Sequence, residues 1–186
     1  AVSFRLKAYD EDLRIGTLRH VLVRTSEATG QIMVVIVTGT PIFPGSKNFV
    51  AALRKQCPEI TTVIQNINPQ KTSMVLGERD KILYGKGYIE DELMGLTFRL
   101  SPASFYQVNA KMTEKLYETA LSFAKLTPND TVLDAYCGVG TIGMAASRSA
   151  GQVIGVELNK AAVRDAIANA KRNGIENIRF FADDAS

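Results

Sequence analysis

Cysteine is scarce in this sequence. Cys57 and Cys137 are the only two, far apart in the chain, which rules out a disulfide framework and matches no zinc-ligand spacing. A reducing cytoplasm is the expected setting. Long apolar runs are missing as well. The longest, residues 32–37, falls far short of the roughly 20 residues a bilayer-spanning helix needs, so no membrane association is expected. No basic stretch followed by an apolar run opens the chain, so no secretory signal is visible, and a start at Ala1 instead of Met suggests a trimmed piece. No internal repeat or low-complexity tract appears. The single histidine, His20, alternates with apolar neighbours on a strand-like segment without a visible partner, which reads as structural. Charge is nearly balanced. The net +3 arises wholly in residues 1–104, with 13 basic and 10 acidic side chains, against 9 of each in residues 105–186. Such a surplus is too small to establish a nucleic-acid partner by itself.

What is present is globular: 46% apolar and 22% charged over 186 residues, enough for one domain or two small ones. Residues 1–104 read as β-rich α+β. Residues 18–26 and 31–38 form a predicted hairpin around Gly30. Ser46 is placed to cap a helix carrying Phe49, Leu53 and Cys57 on one face, stopped by Pro58. Residues 61–67 form a further predicted strand. Residues 83–90 and 94–100 form another predicted hairpin, with Met94, Leu96, Phe98 and Leu100 on one face. Ser101-Pro102 breaks the pattern, and the domain boundary is expected at residues 101–104.

Residues 105–186 change rhythm. Asn109 is placed to cap a helix turning Met112, Leu116, Leu121 and Phe123 inward. Strands at 131–136, 152–157 and 178–181 alternate with helices at 141–149 and after Asn159, the latter carrying Val163, Ile167 and Ala170 on one side. This is a βαβαβ unit with a parallel sheet. Left at Ser186, such a half-sheet presents an open edge, and the natural protein is expected to continue.

Residues 131–143 read TVLDAYCGVGTIG. Gly138, Gly140 and Gly143 fit G-x-G-x-x-G, with Glu157 at the end of the next strand, which by pattern alone is a dinucleotide fingerprint. Asp134 argues otherwise. A carboxylate at this strand end repels a pyrophosphate but suits the cationic amino-acid end of S-adenosyl-L-methionine. Glu157 serves ribose hydroxyls with either ligand, and Asp183 or Asp184 follows the third strand, on the adenine side. A nicotinamide-dependent oxidoreductase and a Gly-rich turn without cofactor are the alternatives.

The segments SFYQVN (104–109), VLDAYCGVGTIG (132–143) and VEL (156–158), in this order and spacing, resemble the RNA uracil-5-methyltransferases, over residues 101–186 and more softly before them. The resemblance implies a Rossmann-like class I methyltransferase half-domain at 105–186, preceded by the family's smaller β-rich α+β central domain at 1–104, which contacts RNA. It implies methyl transfer from S-adenosyl-L-methionine to carbon 5 of uridine in RNA, ribosomal before transfer RNA, by a cytoplasmic monomer. The cofactor-binding set is then Gln107, Asp134, Tyr136, Gly138, Gly140, Thr141, Glu157 and Asp184, the last chosen over Asp183. Phe105 and Gln107 meet the target base, with Phe105 able to stack on a flipped-out uracil.

In the implied mechanism a cysteine thiolate adds to carbon 6 of uracil, carbon 5 takes the methyl group, and a base removes the carbon 5 proton before the cysteine leaves. The sequence departs from the family here. The Pro-rich motif bearing the nucleophilic cysteine and the later general base are both absent and are expected beyond Ser186. Cys137 belongs to the glycine turn and is not that nucleophile. The family's N-terminal oligonucleotide-binding barrel is also absent, and two distant cysteines cannot hold the iron–sulfur cluster of some relatives; no metal is expected. The chain is therefore expected to bind cofactor but to be catalytically incomplete. A non-catalytic RNA-binding module and a small-molecule methyltransferase remain alternatives.

Overall fold

A computed structural model describes residue 4, residues 6–71 and residues 73–185. Ala1 and Ser186, the two ends considered above, lie outside the described residues. The chain forms two compact units, Ala1–Ile89 and Glu90–Ser186.

The first unit is a four-stranded mixed sheet in the order β1-β2-β3-β4. β1 (Leu18–Thr25) and β2 (Ile32–Thr38) form the predicted antiparallel hairpin. Ser26 tightens its turn, its hydroxyl accepting the Thr29 amide, and Gly30 supplies a left-handed φ of 66°. α1 (Ser46–Gln56) crosses over so that β3 (Ile60–Ile67) runs parallel to β2. The helix packs Val50 with Phe49, Leu53 and Cys57 against Val34, Ile36, Phe43 and Val63. Ser46 does not cap it. Gly45, in the left-handed region, holds the N-cap position and no side chain bonds there.

The strand predicted at 83–90 divides differently. β4 (Arg79–Tyr84) pairs antiparallel with β3, and β5 (Ile89–Leu93) pairs with β6 (Leu96–Leu100). Between β4 and β5, Gly85 and Gly87 adopt φ of 76° and 79°, a left-handed pair that a continuous strand cannot contain. Leu96, Phe98 and Leu100 do alternate into the core. The hairpin β5–β6 belongs mostly to the second unit, so the division falls at residues 89–90 and not at 101–104.

The second unit continues with α2 (Ala110–Ala124), β7 (Thr131–Ala135), α3 (Thr141–Ala146), β8 (Gln152–Val156), α4 (Lys160–Arg172) and β9 (Ile178–Phe181). β7, β8 and β9 form a wholly parallel sheet in that order, which is the predicted βαβαβ unit. Asn109 caps α2 as expected, its side chain accepting the Met112 amide at 3.1 Å. Asn109→Ala is expected to cost about 1 kcal/mol, readable by urea denaturation. The inward face of α2 differs from the expectation. Thr113 and Tyr117 are buried, while Met112, Leu116 and Phe123 are exposed. The tyrosine is drawn in because its hydroxyl meets Thr141 Oγ1 at 2.9 Å. On α4, capped by Asn159, Val163 and Ala170 are buried but Ile167 is exposed.

Candidate functional site: the glycine turn after β7

The site forms where β7 ends and α3 begins. The chain reverses within five residues, and three of them take left-handed conformations: Tyr136 (φ 63°), Gly138 (φ 55°) and Gly140 (φ 84°). The left-handed φ at position 140 favours glycine, and a Cβ there, 2.8 Å from Met144 Cε and 2.9 Å from Phe180 Cζ, would also push those side-chain ends aside. Tyr136 has no such licence. Left-handed geometry costs a non-glycine residue roughly 1–2 kcal/mol, and strain of this kind gathers at functional sites. The residue is 69% exposed, so little burial offsets the cost. Tyr136→Gly is expected to change stability by less than about 1 kcal/mol, relief of strain offsetting the greater freedom of the unfolded chain, while ligand affinity at the turn falls. Thermal melts beside a binding titration separate the two effects.

Two carboxylates organise the turn. Asp134, nearly buried at the end of β7, accepts the Gly143 amide through Oδ2 at 2.9 Å. Burial raises its pKa from 3.8 to about 6, and the Gly143 hydrogen bond only partly opposes this. Glu157, just after β8, accepts the Gly138 amide at 3.1 Å through Oε2 and the Asn159 amide at 2.7 Å through Oε1. It thereby ties the glycine turn to the start of α4. The backbone donors that a pyrophosphate would use at Gly138 and Gly143 are thus engaged by protein carboxylates, and the local charge is negative. That arrangement disfavours a dinucleotide and suits a ligand with a cationic head and ribose hydroxyls.

Phe105, Gln107, Asp134, Tyr136, Gly138 and Thr141 line one cavity of about 150 Å³, with Tyr106, Tyr117, Cys137, Val139 and Ile142. The structure therefore brings together six of the predicted residues. Gly140 and Glu157 are not among its lining residues; they shape it through turn geometry and the Gly138 bond. Asp184 is not brought in. It is exposed beyond β9, its amide donating to Asp183 Oδ1 at 2.9 Å. Cys137 is buried, and burial, with Asp134 and Glu157 adding to it, pushes its thiol up to about 12. It stays protonated at neutral pH, which fits its exclusion as a nucleophile. Tyr117 and Tyr106 were missed in the sequence. Tyr117 falls on an α2 stripe whose apolar neighbours masked it. Tyr106 stands between two residues of the quoted motif, and its ring lies against Phe98, centroids 6.2 Å apart.

A family profile described as tRNA (Uracil-5-)-methyltransferase matches residues 48–185. An uncharacterised RNA methyltransferase of Halalkalibacterium halodurans is 42% identical over 97% of this chain, and another of Lactiplantibacillus plantarum is 46% identical over 96%. The chain spans 39% of the length of each. Among solved structures, a tRNA (uracil-54, C5)-methyltransferase of Pyrococcus abyssi, in complex with S-adenosyl-L-homocysteine, superposes with a TM-score of 0.78 at 24% identity, over 100% of this chain and 43% of its own. That likeness shows the α/β fold.

Proposed function

The chain belongs to the tRNA (uracil-5-)-methyltransferase family, and on that footing we propose that it forms the methyl-donor site of an enzyme that methylates carbon 5 of uridine in RNA. The observation that carries this reading is the pair of carboxylates, Asp134 and Glu157, holding the Gly143 and Gly138 amides around a small cavity. S-adenosylmethionine supplies an electrophilic methyl group when bound. The residues present fit such a ligand. Asp134 would face the cationic amino-acid end, Glu157 the ribose hydroxyls, and the exposed ring of Tyr136 an apolar surface of the donor. Gly138 and Gly140 allow close backbone approach. Phe105, 70% exposed on the same cavity, would stack on an unpaired base, and Gln107 would hydrogen-bond it. The chain's own share is to bind and orient. No group in the turn is fit to attack carbon 6, since the Cys137 thiol is held protonated.

The test is calorimetric titration with S-adenosylhomocysteine, beside NADH. Binding of the first alone, lost in Glu157→Ala, is the expected result. NADH binding without S-adenosylhomocysteine binding would contradict it. Incubation with labelled donor and with transfer or ribosomal RNA is expected to yield no 5-methyluridine from this 186-residue chain alone. Formation of that product would overturn the division of labour.

A further inference from the structure

Helix α4 carries a polar stripe on its inner face. Asp165, Asn169 and Asn173 recur at four-residue spacing, and Asp165 and Asn169 are buried, the latter completely. A helix covering a sheet ordinarily presents apolar residues there, and buried carboxylates and amides are costly unless partnered. Here each has specific partners. Asn173 Oδ1 accepts the Thr97 amide at 2.9 Å and its Nδ2 donates to the Thr97 carbonyl at 2.8 Å. Asn169 repeats the pattern at Arg99, accepting its amide at 2.6 Å and donating to its carbonyl at 3.3 Å. The two amides serve the open side of β6 as a neighbouring strand would.

The upper part of the stripe reaches further. Asp165 Oδ2 accepts the hydroxyls of Ser101 at 2.6 Å and Ser104 at 2.8 Å, and Arg99 Nε lies 3.4 Å from its Oδ1. Ser104 directly precedes Phe105. Asn169 Nδ2 also donates at 3.4 Å to the carbonyl of Val139, inside the glycine turn. One helix thus holds the segment leading to Phe105 and Gln107 and, at the same time, the turn that carries Gly138 and Gly140. Asn173 holds β6 and, through Nδ2, the Asn169 carbonyl of its own helix at 2.8 Å, but neither residues 101–104 nor the turn.

We propose that Asp165 and Asn169 are positioning residues of the donor site: they fix the two walls of its cavity, residues 105–107 and 138–140, relative to each other. This rests on the reading of that cavity as the methyl-donor site. Sites of this kind lose affinity when their walls move by about half an ångström, and neither residue needs to touch a ligand to have that effect.

Asn173→Ala is the internal control, because it removes two bonds from β6 and one from its own helix, and none from residues 101–104 or the turn. Asn169→Ala, Asp165→Asn and Asn173→Ala are compared in two measurements, at a temperature where circular dichroism shows each folded. One is the affinity for S-adenosylhomocysteine. The other is amide hydrogen exchange of the free protein at residues 105–107 and 138–140. Asn169→Ala and Asp165→Asn are each expected to weaken binding roughly tenfold, with exchange faster by a similar factor at residues 138–140 in the first and at residues 105–107 in the second. Asn173→Ala is expected to stay within about twofold on both. Equal losses in all three variants, tracking only their melting temperatures, would overturn the proposal and leave the stripe a packing device. Should Asn169→Ala not fold, the shape-preserving Asp165→Asn carries the comparison. If the unaltered chain fails to bind S-adenosylhomocysteine, the donor-site reading fails, while the exchange comparison still decides the positioning role.

Discussion

Asp134→Asn is expected to stabilise the free protein above pH 6 and to weaken its grip on S-adenosylhomocysteine. Burial lifts the Asp134 carboxyl from 3.8 to about 6 in the folded chain. Between these pH values the folded protein keeps a proton that the unfolded chain releases. Stability therefore falls as pH rises through this window, by about 3 kcal/mol in all, and is flat above it. The asparagine carries no charge, and its side-chain oxygen still accepts the Gly143 amide, so most of this pH dependence should vanish and the variant should gain a few kcal/mol at pH 8. Binding moves the other way. A cationic ammonium opposite the carboxylate favours its ionised form, so affinity in the unaltered protein should rise with pH through about 6. In Asp134→Asn it should be weaker by roughly tenfold and insensitive to pH across that range. Urea denaturation at pH 4, 6 and 8, beside binding titrations at the same pH values, checks both. A variant no more stable at pH 8 than the parent would show that the carboxylate is not a burdened group.

The second large effect is at Glu157. Its two oxygens each accept a backbone amide, Gly138 on one side and Asn159 on the other. Glu157→Ala leaves both donors without these acceptors. The exposed Asn159 amide can turn to water, while the part-buried Gly138 donor costs on the order of 1–3 kcal/mol, so a loss of about 2 kcal/mol in stability is expected. It also removes the acceptor for the ribose, and S-adenosylhomocysteine affinity should fall by about two orders of magnitude. Glu157→Gln retains an acceptor for one amide and should lose less on both counts. Thermal melts and calorimetry separate the effects. A Glu157→Ala variant with parental affinity would place the ribose elsewhere.

Much of the second unit was legible because its signals are local. The Asn109 cap, the strand carrying Asp134 and the glycine turn each depend on neighbours within a few residues; the cap and turn appear where the pattern puts them, and the strand ends one residue early, at Ala135, because Tyr136 turns left-handed. The carboxylates' chemistry was legible in part. Strand ends at 134 and 157 marked them as site residues, but their protein partners, the Gly143 and Gly138 amides, depend on the folded turn. Other features are tertiary. The inward side of α2 is set by the Tyr117–Thr141 contact, which outweighs the apolar stripe of Met112, Leu116 and Phe123. The polar stripe of α4 resembles a solvated face in one dimension, and only the strand beside it makes Asp165 and Asn169 interior residues. At residues 83–90 alternation of apolar residues hid a turn that Gly85 and Gly87 make.

The most direct measurement of the central claim is a chemical-shift titration of S-adenosylhomocysteine into the isotopically labelled chain. The account predicts amide shifts concentrated at residues 105–107, 134–143 and 157–158. Shifts confined to the groove between α4 and β9, around Ile175 and Arg179, or none at all in a folded protein, would contradict it.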